Sequence, residues 1–180
     1  MAINLGRKKL LRRPQQGFSI IEVIVAAAVI TVGLVSVATV FSSSLAVIKF
    51  SEEDSIARQQ AQQMIEGIYA ARNTGAIPFS AIQNRGVDPV NGIFQDGFQP
   101  ALQPGADGIM NTLDDGPAMV VGPDGKPLSN FQRQVAISTV FLQDGVTPDP
   151  NARRIQIWVQ YRVGNLSRTY TQVTYISTYR

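Results

Sequence analysis

From Phe18 to Ile48 the chain carries no lysine or arginine and a single acid, Glu22. A helix over this run measures about 46 Å at 1.5 Å per residue, longer than the roughly 30 Å hydrocarbon core of a bilayer. No other feature limits the possible folds so strongly. A run this apolar is read first as a membrane-spanning helix, and a carboxylate within it needs a reason. Inserting one costs roughly 2.5–3.5 kcal/mol, so an acid at that depth is a functional hypothesis by default.

Charge is distributed to match. Arg7, Lys8, Lys9, Arg12 and Arg13 precede the run in a segment without acids, and Glu52, Glu53 and Asp54 follow it closely. The positive-inside tendency then puts the N-terminus in the cytoplasm and everything after residue 50 outside. Taking those five from the 16 Lys and Arg leaves 11 against 13 Asp and Glu, so a chain starting at Phe18 carries −2 from its side chains. A nucleic-acid reading based on overall charge loses its support. The absence of cysteine excludes a disulfide framework and thiol chemistry. With no histidine either, Ser-His and Cys-His catalysis are excluded as well.

Helical periodicity continues beyond the apolar run, because Ala57, Ala61, Ile65 and Ile68 recur at three- and four-residue steps among charged and Gln-rich positions. This predicts one helix from about 18 to 72, ended by Asn73-Thr74-Gly75 with Pro78 just beyond. Residues 74–130 are rich in Gly, Pro, Asn and Asp and read as turns linking short extended pieces such as Met119–Val121. Phe131–Leu142, Arg153–Val163 and Arg168–Tyr179 read as strands, separated by "QDGVTPDPN" and "GNLS". In the middle strand Ile155, Ile157, Val159 and Tyr161 alternate with Arg154, Gln156, Trp158, Gln160 and Arg162, the pattern of a half-buried antiparallel strand. The expected class is α+β: a long helix whose amphipathic half covers an antiparallel sheet, making a head on a membrane stalk. Its divisions are a basic leader over 1–17, an apolar helix over 18–48, an amphipathic helix over 49–73 and a head over 74–180. Within the head, 74–130 is turn-rich and 131–180 forms the sheet.

An ordinary secretory signal has a shorter apolar region with its cleavage site after it. Here the break in character comes before the run, at "RRPQQG|FS". The whole stretch "RRPQQGFSIIEVIVAAAVITVGLV" resembles the class III signal of type IV pilins and pseudopilins in its basic leader, Gly-Phe junction, acid position and apolar length. The resemblance implies cleavage between Gly17 and Phe18 by a membrane-embedded prepilin peptidase and N-methylation of the new Phe18 amine. It further implies passage from the inner membrane, through an assembly platform, into a periplasmic or cell-surface filament of pilin or pseudopilin subunits. Glu22 would then pair with the Phe18 ammonium of a neighbouring subunit, setting register. The competing reading is a single-pass anchor whose Glu22 reaches the headgroups.

No proline lies between Pro14 and Pro78, and no cysteine is present to close a C-terminal loop, both unlike many main pilins. "IIEVIVAAAVITVGL" is more similar to minor pilins of the type IV pilus modification group and to I-type minor pseudopilins of type II secretion. The expected function is that of a minor pilus subunit that needs no cofactor and is not an enzyme. A minor pseudopilin is the alternative and a main pilin the third reading. A membrane-anchored carboxylate hydrolase would need paired acids, and the spacing of Glu52, Glu53, Glu66 and the loop aspartates offers none.

Two weaker signals remain. Asp107, Asn111, Asp114 and Asp115, with Asp124 nearby, place oxygen donors on a loop suited to Ca²⁺, although Asp-Gly pairs are also ordinary turn chemistry. Arg154, Trp158 and Arg162 share a strand face and, with Arg168 and Arg180, could form a strip for DNA. A solvated sheet face, or one packed on another subunit, is the preferred reading of those residues.

Overall fold

The computed structural model describes residues 17–179. The leader as far as Gln16, with its five basic residues, and Arg180 therefore lie outside the described residues. The chain divides into two compact units, one ending at Ala46 and the other starting at Val47. A single helix, α1, Ile20–Thr74, contributes to both.

The first unit is helix α1 up to Ala46. The carbonyl of Ser19, just before the helix, accepts the Glu22 and Val23 amides at 3.0 and 3.2 Å. No residue of the most apolar stretch is buried. Five of its hydroxyls turn back on the helix: Thr31 donates to the Ala27 carbonyl, Ser36 to Val32, Thr39 to Val35, Ser43 to Thr39 and Ser44 to Val40, at 2.7–2.9 Å. Polar side chains satisfied in this way need no water, which suits them to hydrocarbon.

In the second unit α1 becomes amphipathic. Ile56, Ala57, Gln60, Ala61, Met64, Ile65, Ile68 and Ala71 are buried, one helical face at three- and four-residue spacing. The helix ends two residues later than the sequence suggested, at Thr74. The Gly75 amide bonds the Arg72 carbonyl (3.1 Å) and the Ala76 amide the Ala71 carbonyl (2.9 Å), with Gly75 at φ +76°. This is a Schellman ending, which needs the left-handed residue that glycine supplies.

The apolar face of α1 lies on an antiparallel sheet of order β1-β2-β3-β4: Gln99–Pro100, Phe131–Phe141, Pro148–Val163 and Leu166–Ser177. The predicted alternation of the middle strand holds, with Ile155, Ile157, Val159 and Tyr161 buried against the helix. Its start does not, because β3 begins at Pro148 and not at Arg153. The turn needs only the residues after Phe141: the Leu142 amide bonds the Thr147 carbonyl (2.8 Å), and Asp144 accepts the Val146 and Thr147 amides. Pro148 and Asp149 then pair with Phe141 and Val140 beyond a register shift at Thr139/Val140, where an irregular ladder tolerates proline. Between β3 and β4 the loop is only Gly164-Asn165, with Gly164 at φ +58°, as a tight type II′ hairpin requires.

The segment between α1 and β2 contributes more than turns. It holds a 3₁₀ turn at Phe79–Ala81, and it buries Ile82, Phe94, Ala101 and Ile109 completely in the core. Met119 and Val121 make isolated bridges, to Leu102 and Pro127, in place of a strand.

Candidate functional site

Gly17 and Phe18 precede the helix, and Phe18 is 82% exposed. A Cβ at Gly17 would meet nothing within 4 Å, so the fold itself gives no reason for glycine there. Any requirement for it must come from something that handles the chain. Glu22 lies in the first helical turn, where a carboxylate is favoured by the exposed amides of the helix start. Ser19-x-x-Glu22 also has capping-box spacing. While Gly17 and Phe18 are joined, the Phe18 nitrogen is a neutral amide. Hydrolysis of that bond would create a cation four residues before Glu22.

The aspartate loop is organised from within. Asp107 accepts the Ile109 amide (2.8 Å), and Asp114 accepts the Asp107 amide (3.2 Å) and the Thr112 hydroxyl (2.6 Å). Asp115 accepts the Asn111 and Thr112 amides at 2.9 and 3.3 Å, with Asn111 held at φ +71°. Burial raises the carboxyls of Asp107 and Asp115 above the ordinary range, and the Thr112 hydroxyl lowers that of Asp114. Among the described residues, no three His, Cys, Asp or Glu gather as a metal-ligand set.

The cation facing Asp115 is Arg133, on β2, at 4.0 Å with both side chains buried. Arg133 also donates to Gln60 Oε1 on α1 (3.2 Å) and to the Leu102 carbonyl. Burial lowers its pKa to about 10, with Asp115 opposing the shift. It ties the aspartate loop, β2 and α1 together. Our sequence reading passed over it, although a signal was present: Arg133 occupies the inward phase of Phe131, Val135 and Ile137.

Arg154, Trp158 and Arg162 do lie on one face of β3, beside Tyr175, Thr171 and Ser167 of β4. Arg168 does not join them. It pairs with inward-facing Tyr161, and its guanidinium lies 4.8 Å from the Phe50 ring of α1. The strip is therefore shorter than expected, since a residue of β4 opposite Tyr161 must share that residue's face.

An apolar N-terminal helix with an acid in its first turn, continuing as the cover of an antiparallel sheet, is a pilin-like α+β arrangement. Residues 12–38 match the family model described as the prokaryotic N-terminal methylation motif. The match supports a type IV pilin or pseudopilin family protein, and motif and fold together point to a structural subunit. No curated protein and no solved structure matches the chain.

Proposed function

We propose that the chain is a minor structural subunit of a type IV pilus, made as a prepilin, cut after Gly17 and N-methylated at Phe18. The observation that carries this reading is the methylation motif over residues 12–38, joined to an apolar helix whose side chains find no cover among the described residues. Exposing a large aliphatic side chain forgoes roughly 1.5–3 kcal/mol, and Val29, Ile30, Val32, Leu34, Val35 and others are more than half exposed. Lipid covers them before assembly, with the N-terminus in the cytoplasm. Packed helices of other subunits cover them afterwards. Glu22 pairs with a neighbour's Phe18 ammonium, which exists only after cleavage, so processing and assembly are coupled by one charge.

Prepilin peptidase, the inner-membrane assembly platform and other pilins are the partners of this reading, and the finished filament is periplasmic or on the cell surface. No cofactor is assigned. The aspartate loop is read as a structural turn whose cation is Arg133, and the Arg154–Trp158–Arg162 face as a packing face, with DNA and Ca²⁺ left aside. Deleting the gene and shearing the cells tests the role. Loss of pili, with this chain at a small fraction of the principal pilin by quantitative mass spectrometry, is expected. Intact pili with a lost secretion phenotype would favour the pseudopilin alternative and overturn the pilus assignment.

A further inference from the structure

The two edges of the sheet are finished very differently. On the β2 side, β1 pairs with Gln132 and Arg133 and ends at Pro100, which cannot extend a ladder. Beyond it the buried Asn84 amide acts as a substitute strand, donating to the Val135 carbonyl (2.9 Å) and accepting the Ile137 amide (2.7 Å). That edge is closed from Gln132 to Ile137. The opposite edge is β4, 12 residues long, with one charged residue, Arg168, and no proline. Val173 and Tyr175, on its outer face, are 41% and 59% exposed. Near the C-terminal end of β4 one edge carbonyl, that of Tyr175, is taken up within the chain, accepting the Tyr69 hydroxyl of α1.

Long edges without proline or charge pair readily with another chain, and proteins usually blunt them. This molecule blunts one edge and leaves the other. We propose that β4 is an acceptor for an extended segment of a different subunit of the filament, running antiparallel to it. The inference rests on the structural-subunit reading. Three observations select the occupant. The β1 edge of a second copy is closed from Gln132 to Ile137, which leaves only the short irregular end of β2 beyond it. Pairing β4 with β4 of a second copy fails for another reason: α1 runs in the same direction as β4, through Phe50 with Arg168, Arg58 with Tyr170, Gln62 with Gln172 and Tyr69 with Thr174. A two-fold β4 pair would therefore point the two α1 segments in opposite directions, whereas subunits carrying a common N-terminal signal share one. Finally, Thr169, Thr171, Val173 and Tyr175 present a neutral β-branched and aromatic row, which suits a strand of the same character.

The test uses the full chain in cells making the other subunits, with a photo-cross-linking amino acid at Thr169, Thr171 or Val173. Adducts are read by mass spectrometry in membrane and sheared-filament fractions. The expected result is adducts that step back by about two residues along one segment of another subunit as the probe advances by two, the signature of antiparallel pairing. Adducts between two copies, adducts without register, or none in either fraction overturn the proposal. Thr171→Pro and Gln172→Pro give a second readout, because one of two adjacent amides faces β3 and the other faces solvent. The variant that keeps the wild-type melt should fall at least tenfold in the filament fraction, and its normal incorporation would also overturn the proposal. Wild type present in filaments without these adducts defeats the β4 inference alone, whereas wild type absent from filaments defeats the structural-subunit reading.

Discussion

Before Ala46 and after Val47, helix α1 has the same backbone and opposite surroundings. The first part is apolar on every side and buries nothing, and the hydroxyls of Thr31, Ser36, Thr39, Ser43 and Ser44 are satisfied by its own carbonyls. The second part buries one face against the sheet and sets Glu52, Arg58, Gln62 and Glu66 outside it. Secondary structure alone therefore says little about what a segment does; the distribution of side chains around it says which solvent it expects. The first part is built for lipid or other helices, the second for its own sheet. Substitutions in the first part should change assembly and leave the fold intact, while those in the second should do the reverse. The melt can be followed in detergent through the fluorescence of Trp158, the only tryptophan, which sits on β3.

The largest effect is expected at Ile157. Ile157→Asp puts a charge on the fully buried face of β3, costing more than about 4 kcal/mol, and should abolish the cooperative melt. Gln156→Asp, one residue away on the outer face, should be nearly neutral. Equal tolerance of the two would break the assigned register. Next comes Arg133→Met, which strands the buried Asp115 carboxylate and should cost about 3–5 kcal/mol. A loss under about 1 kcal/mol would mean that the pair does not join the loop to the helix.

Glu22→Val sharpens the contrast from the other side. It removes an insertion penalty of roughly 2.5–3.5 kcal/mol, so membrane-fraction amounts should be at least those of wild type, with an unchanged Trp158 melt. In sheared filaments it should be depleted, because an unpaired ammonium among apolar helices costs several kcal/mol, and Glu22→Gln should be intermediate. Filament entry equal to wild type, by immunoblot, would remove the pairing role. The smallest effect belongs to Asp54, which Arg58 engages at 2.9 Å near the surface. The Arg58 hydrogen bond holds its carboxyl below the ordinary 3.8. A depressed carboxyl stabilises the fold above its unfolded pKa, and that contribution fades as pH falls through the folded value. Asp54→Asn should lower the melt by under about 1 kcal/mol at pH 7 and flatten the acid limb below about pH 4. An unchanged acid limb would contradict the assignment.

Where periodicity was long and uninterrupted, the sequence was sufficient. Ala57, Ala61, Ile65 and Ile68 and the inward row of β3 all sit where their spacing puts them. The start of β3 was hidden because Pro148, Asp149 and Pro150 are turn residues by type, and only the irregular ladder with β2 admits them to a strand. The core role of Phe94, Ile82 and Ile109 was hidden for a different reason. They are isolated apolar residues in a Gly- and Pro-rich segment, and burial there depends on bridges between residues distant in sequence, such as Phe94 with Thr112. Of the candidate site, Gly17, Phe18 and Glu22 stand out by local order alone, within the matched motif, and the roles given to them belong to the proposal. Arg133 and Asp115 were not recognised as a pair, since pairing across loop and sheet leaves no periodic trace.

The central claim is that the chain is a precursor whose working N-terminus is Phe18. Mass spectrometry of the N-terminal peptide from the membrane fraction tests it most directly, in wild type and in Gly17→Val. Because a side chain at Gly17 meets nothing in the fold, the variant changes only what the processing enzyme encounters. The expected result is an N-methylated peptide beginning at Phe18 in wild type, and an uncut junction with an unchanged Trp158 melt in the variant. An intact Gly17-Phe18 bond in wild type protein recovered from assembled filaments would contradict the account.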